Sequence, residues 1–285
     1  TGLKITVKGG SGGHSGMDIH KGIANANKLI NRILLESLES VDIRVSEMDG
    51  GGLRNAIPRE ANALIVVSEQ DMLELDTSLN NTAAELKSEY KTTDPNLTVI
   101  WEREATPKEA LPEDVQNALL LALQVVPVGI HRMSSDIEGL VQTSNNLARI
   151  EVCCGDVNIK CLNRSSVDSE KWDLARSIEA AFTLAGLTTE QGGAYPGWAP
   201  NPSSKAVEML RALYVEKFNE NPKVMACHAG LECGILSTNY PDMDMASFGP
   251  NIRGAHSPDE CCQISSVHKF WGFYLEALLR TPKRS

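Results

Sequence analysis

Two histidines lie on glycine-rich loops, where an imidazole can stand clear of the backbone to ligate a metal, move a proton or donate to an anion. His256 sits in GPNIRGAHSPDE, residues 249–260, after an apolar strand-like run and before a helix-like one. Ligands of open α/β sheets bind at the carboxyl ends of strands, so this placement suits a metal ligand or an acid/base. From spacing alone the plainer reading, a surface histidine capping a turn, weighs more, because a zinc site needs three or four ligands. His14 sits in GGHSG, residues 12–16, between a strand and a helix. Its glycines could cradle an anion at a helix start, let the imidazole project toward a substrate, or simply serve a tight turn. The loop has neither Gly-Lys-Ser/Thr nor G-x-G-x-x-G spacing, which weakens the phosphate reading.

Three further residues have types suited to binding. Asn55 lies in RNAIPRE, residues 54–60, after three glycines, where Arg and Asn side chains can take a carboxylate or a carbonyl oxygen. Arg164 ends a strand in CLNRSS, and a strand-end guanidinium suits bidentate carboxylate recognition. Glu232, in HAGLECG, could pair with His228 or meet a substrate amine. Each also has an ordinary reading: a polar loop, a surface ion pair, and an acidic residue in a helix's first turn.

These residues need elements to hold them. Leu3, Ile5 and Val7 alternate as a strand; Ile23, Ala26, Ile30, Ile33, Leu34 and Leu38 recur at helical spacing; Val41, Ile43 and Val45 alternate again. Residues 61–68 predict a third strand. Met72 to Leu86 predicts a long helix, Leu97 to Trp101 a strand, and 112–126 a helix stopped by Pro127. Residues 147–153 and 157–163 flank Cys154-Gly155-Asp156 as a hairpin. Asp168 is expected to cap a helix with Trp172, Ala175, Ile178, Phe182 and Ala185 inward, ending at Gly186. Residues 192–202 are rich in Gly and Pro and make the best linker. Beyond them the pattern predicts a helix over 204–218, strands over 223–227 and 243–248, and a final amphipathic helix over 264–279. Alternating strands and helices give an α/β class.

The bulk numbers narrow the function classes. A net charge of −10 over 285 residues repels phosphate backbones, so no nucleic acid partner is expected. The longest apolar stretch, 118–128, is interrupted by Gln124 and Pro127 and is too short to span a bilayer, so no membrane partner is expected either. The seven cysteines include two adjacent pairs, neither a disulfide framework nor a Cys-x-x-Cys spacing, which fits a reducing cytoplasm. A chain opening with Thr1 directly inside a strand reads as part of something larger.

Five strings together carry a resemblance: GGHSGMDIHKGIANANKLINRIL, GGLRNAIPREA, GAYPGWAP, HAGLECGIL and MDMASFGPNIRGAHSPDE. In this order they resemble the Xaa-His dipeptidases, also called aminoacyl-histidine dipeptidases, within the two-zinc exopeptidase superfamily. The resemblance implies a lid (dimerisation) domain of mixed sheets with helices over 1–196. It also implies the C-terminal segment of an α/β zinc-peptidase catalytic domain over 197–285, and a homodimer formed through the lid. It implies that His256 is the last metal ligand and that His14 stabilises the tetrahedral intermediate in a catalytic site. It implies that Asn55 and Arg164 contact substrate, Arg164 at its carboxylate, and that Glu232 stands near the site. The implied cofactor is a pair of Zn2+ ions and the implied substrates are carnosine-like dipeptides. The family's other metal ligands and its glutamate base have no counterpart in this chain, which is therefore expected to be inactive alone. TSNNLAR, residues 143–149, stands where the resemblance leads one to expect a glycine-containing segment. Two other readings are a non-catalytic dimerisation or binding module and, more weakly, a phosphate-binding α/β protein.

Overall fold

A strand with one buried face repeats its apolar residues every second position, a helix every third or fourth, and both periods are realised in this chain. The computed structural model describes residues 1–198, 200–226, 232–253 and 260–281. Its first elements are β1 (Gly2–Lys8), β2 (Gly13–His14), α1 (Ala26–Ser40), β3 (Ile43–Gly51), β4 (Ala56–Ile57) and β5 (Ala61–Val67). They are followed by α2 (Met72–Glu89), β6 (Thr98–Glu104), α3 (Glu113–Val125), β7 (Gly129–Met133), β8 (Val141–Cys153), β9 (Asp156–Ser165) and α4 (Asp168–Leu184). After residue 200 come α5 (Lys205–Phe218), α6 (Glu232–Asn239), β10 (Ile252–Arg253), β11 (Cys261–Cys262) and α7 (Ile264–Arg280). The chain forms two compact units, Thr1–Ala194 and Tyr195–Ser285. No helix among the described residues is long and apolar enough to cross a membrane.

The first unit is built on a seven-stranded sheet in the order β6-β1-β5-β3-β8-β7, with β9 along the other edge of β8. The mixed α/β class holds, and every pairing recorded in this sheet is antiparallel. Leu3, Ile5 and Val7 of β1 and Ala61, Ala63, Ile65 and Val67 of β5 bury one face. Leu29, Ile30, Ile33 and Leu34 of α1 belong to the same core. Each such Val, Leu or Ile side chain contributes roughly 1.5–3 kcal/mol by leaving water.

Two bulges change which residues face the core. The β3–β5 register shifts between Val45 and Glu47, so the inward phase runs Ile43, Val45, then Met48. The β8–β9 register shifts between Leu147 and Arg149, and Ala148 falls at the slip. Residues 143–148 are buried on both faces of the strand, and beyond the slip only Ile150 and Val152 continue inward. An extra residue flips every later side chain to the other face.

Buried amides satisfy strand edges that the sheet leaves open. Gln116 of α3 accepts from the Val45 amide at 2.6 Å and donates to the Ile43 carbonyl at 3.1 Å, where β3 has not yet met β8. Lys28 donates from Nζ to the carbonyls of Leu123, Gln124 and Val126 at 2.7, 2.8 and 3.2 Å, filling acceptors that the end of α3 cannot pair itself.

Some expectations are corrected. Asp168 does not cap α4: the cap position is Val167, and Asp168 instead accepts from Lys171 Nζ at 2.5 Å. The inward stripe of α4 is Lys171, Leu174, Ile178 and Phe182, and Trp172, one residue off that stripe, is exposed. Residues 223–226 and 243–248 are not strands. Val224, Met225, Met243 and Phe248 are exposed. An extended segment needs a neighbour for its backbone groups, and neither finds one among the described residues.

In the second unit, α5 and α7 pack through Leu213, Phe273 and Ala277, with Tyr214 and Phe218 against them. Ser204 caps α5 by accepting from the Val207 amide at 3.1 Å. Arg280 makes a bidentate pair with Glu216 at 2.7 and 2.8 Å.

A carboxylate test arises at β8. Glu170 accepts from Gln142 at 2.8 Å and from Thr143 at 2.7 Å, and pairs with Arg132 at 3.0 Å. Burial opposes its charge, but these hydrogen bonds and the charge of Arg132 outweigh it and hold the carboxyl below its ordinary value of 4.5. The unfolded chain therefore binds this proton first as pH falls, so Glu170 contributes stability above that value and loses it through the lower folded pKa. Glu170→Gln is expected to make the fall in Tm from pH 5 to pH 3 shallower than in the wild type. An unchanged acid limb would refute this.

Candidate functional site

β2 is only two residues long, yet it sets the site. Its partner is β4, with Gly13 opposite Ile57 and His14 opposite Ala56. The ladder continues into a bond from the Ser15 amide to the Asn55 carbonyl at 2.7 Å. Three sequence candidates therefore meet in one region of the first unit: His14, Asn55 and, through Ser15, Arg164. Arg164 Nε lies 3.3 Å from the buried Ser15 Oγ. A Cβ at Gly16 would stand 3.1 Å from His14 Cε1 and 3.3 Å from Arg164 Nε, so the imidazole and guanidinium both come close to Gly16 and a larger residue would crowd them.

The imidazole of His14 is oriented by backbone. Its Nδ1 accepts from the amides of Gly16 at 3.2 Å and Met17 at 3.1 Å. A ring nitrogen that accepts carries no proton, so the neutral ring holds its N–H on Nε2. The His14 amide donates to Asp18 Oδ2 at 2.7 Å, and the Asp18 amide returns a bond to the His14 carbonyl at 2.8 Å. Asp18 also pairs with Lys21 at 2.6 Å. Burial works against the Asp18 carboxylate, but the bonds from Lys21 and the His14 amide prevail and lower its pKa from the ordinary value. The result is a turn that fixes the imidazole with its proton on Nε2.

Asn55 is held by its neighbours. Asn146 of β8 donates from Nδ2 to the carbonyls of Arg54 at 3.1 Å and Ala56 at 2.8 Å, clamping the backbone on either side of it. Asn146 Oδ1 accepts in turn from Asn25 Nδ2 at 3.2 Å. Asn25 also caps α1, its Oδ1 accepting from the amides of Asn27 and Lys28 at 3.1 and 3.3 Å. One amide chain thus ties the start of α1, the bulged strand β8 and the loop of Asn55. The Asn55 side chain is half-buried and has no hydrogen-bond partner among the described residues.

Ser15, Asp18, Asn25 and Asn146 were not singled out by the sequence. Asn146 had one visible signal: TSNNLAR is strongly polar, yet Thr143, Ser144, Asn145 and Asn146 are all buried in the first half of β8. Polar residues retained in a core are there for their hydrogen bonds. The expected strand began only at Leu147 because this half does not read as apolar.

Glu232 is the exposed first residue of α6, in the second unit. His256 lies outside the described residues. Among the described residues no group of three His, Cys, Asp or Glu side chains could hold a metal ion. They do not by themselves fit the zinc pair that the resemblance implies.

Residues 1–94 match the family model for a peptidase dimerisation domain. The chain is 42% identical over 283 residues to the cytosol non-specific dipeptidase of Escherichia coli (strain K12), covering 99% of this chain and 58% of that protein. It superposes on the aminoacylhistidine dipeptidase of Vibrio alginolyticus with a TM-score of 0.88 and 38% identity, covering 100% of this chain and 58% of that one. The chain thus spans 58% of the length of each relative.

Proposed function

We propose that this chain, which is similar over nearly its whole length to these dipeptidases and matches a peptidase dimerisation domain over residues 1–94, supplies the substrate-holding part of a dipeptidase. Residues 1–196 are the dimerising lid and residues 197–285 the last segment of the catalytic domain. The observation that carries the reading is the convergence of His14, Asn55 and Arg164 on one turn.

Each residue has a role its geometry suits. The Nε2–H of His14 donates to the oxyanion of the tetrahedral intermediate, a donor whose tautomer is set before substrate arrives. The Asn55 amide, without a hydrogen-bond partner among the described residues, takes a carbonyl oxygen of the substrate. Arg164 holds the free carboxylate of a short peptide, which restricts substrates to dipeptides, Xaa-His among them. Glu232 is a further candidate for substrate binding, and His256 is the metal ligand this chain contributes. A zinc pair, when bound, supplies Lewis acidity and an activated water. Since the described residues do not assemble its donors, the roles of His14, Asn55 and Arg164 do not pass through it. The compartment is the cytoplasm, as the name of the Escherichia coli relative says of that protein.

Two measurements test this reading. The purified chain, given Xaa-His dipeptides and added zinc, is expected to hydrolyse none of them; clear turnover would overturn that expectation. Light scattering is expected to find a dimer, in line with the dimerisation domain over residues 1–94. A strict monomer at high concentration would count against the lid assignment. A dimer without turnover also fits a module whose own task is self-association, and the His14 and Asn146 variants of the Discussion separate the two.

A further inference from the structure

Cys153 and Cys154 form the tip of the β8–β9 hairpin. Cys153 is the last residue of the ladder, opposite Asp156, and Cys154 and Gly155 make the two-residue turn with φ of 56° and 83°. Positive φ at both central residues is the mark of a type I′ turn, which favours Asn, Asp or Gly. A cysteine in the first central position departs from that preference, and the departure has a geometric consequence. Adjacent side chains of a regular strand leave on opposite faces. The left-handed backbone of Cys154 turns its side chain back, and the two Sγ atoms stand 3.0 Å apart. Both residues are exposed, and nothing lies within 4 Å of a Cβ built on Gly155. The second adjacent pair, Cys261 and Cys262, lies within β11, and no sulfur–sulfur contact joins it among the described residues.

We propose that the Cys153–Cys154 pair is a bidentate capture site for monosubstituted trivalent arsenicals. A tetrahedral metal ion would need more ligands than two sulfurs, and no group of three candidate ligands occurs among the described residues. A monosubstituted trivalent arsenic brings its own organic substituent and asks the protein for two thiols only. The step balances without an oxidant: an arsenic–oxygen double bond is replaced by two arsenic–sulfur bonds. The two thiol protons leave on that oxygen as water, and arsenic stays trivalent. Once one sulfur is bound the second is intramolecular, so the chelate closes at a high effective concentration.

The hydrogen bond with Cys154 comes first, followed by burial, the neighbouring thiol's charge, Glu47 and Glu151, and together they push the Cys153 thiol up to about 11. A raised pKa slows attack by the thiolate, so capture rests on the closeness of the two sulfurs rather than on an activated thiol.

The test is to incubate the full chain with equimolar phenylarsine oxide in the presence of excess monothiol, then measure intact mass and titratable thiols. One phenylarsenic adduct per chain and the loss of two thiols are expected, reversed by ethanedithiol. Cys154→Asn, which suits the left-handed position, and Cys153→Ser should each abolish the adduct. The double variant Cys261→Ser, Cys262→Ser should retain it. The proposal is overturned by a wild type that captures nothing under monothiol competition. It is equally overturned by an adduct that survives in Cys154→Asn or Cys153→Ser, or one that is lost in the Cys261/Cys262 double variant.

Discussion

Replacing His14 by alanine in a full-length dipeptidase that carries this segment is expected to lower kcat about 10²–10³-fold while leaving KM nearly unchanged. The reason is the fixed tautomer. Two backbone amides occupy Nδ1, so the ring carries its proton at Nε2. A donor aimed at charge that appears only in the transition state stabilises that state and not the bound substrate. His14→Gln is expected to recover part of the rate, since its amide can donate from a similar reach. The fold should be unaffected, because His14 is only half-buried and the turn is also held by Asp18. Steady-state kinetics on an Xaa-His dipeptide decide the matter. A loss expressed wholly in KM would move His14 from intermediate stabilisation to substrate binding, and an unchanged rate would remove it from the site.

Asn146→Leu is expected to destabilise the first unit by about 3 kcal/mol, because stranding buried polar groups costs about 1–3 kcal/mol each. The asparagine serves the Arg54 and Ala56 carbonyls and accepts from Asn25. Asn25 Nδ2 keeps a second acceptor in the Leu147 carbonyl at 3.1 Å, which limits the loss on that side. Leucine matches the side chain's bulk but satisfies none of the three. The loop carrying Asn55 should loosen with it, so in the full-length enzyme a rise in KM is expected beside the fall in stability. Urea denaturation monitored in the far-UV gives the first quantity. A variant as stable as the wild type would show that water replaces the amide at no cost and that the clamp is not structural.

Much of this protein was legible in one dimension. The phases of β1 and β5, the helical stripe of α1 and the turn at Cys154-Gly155 follow from apolar spacing and turn chemistry, since these depend on neighbours a few residues away. The motifs around His14, Asn55 and Arg164 were legible as motifs. What spacing could not supply was their meeting, because His14 and Arg164 are brought to Gly16 by β2–β4 and by β9, elements far apart in the chain.

The expected strands at 223–227 and 243–248 show the opposite case. Their residues have the right composition, but a strand exists only when another strand pairs with it, and composition does not report the partner. The polar run of β8 misled in the other direction. Thr143 to Asn146 look like a loop, yet they are buried because a bulge at Ala148 and the amides of Asn25 and Asn146 make a polar core tolerable there. By itself, then, the sequence determined the local elements, the family resemblance and the residue types available for chemistry. Only the tertiary structure decided which of those residues share a turn, which face follows each bulge and which nitrogen of His14 carries the proton. Those depend on contacts between segments up to 149 residues apart, such as Arg164 with Ser15, that no local period encodes.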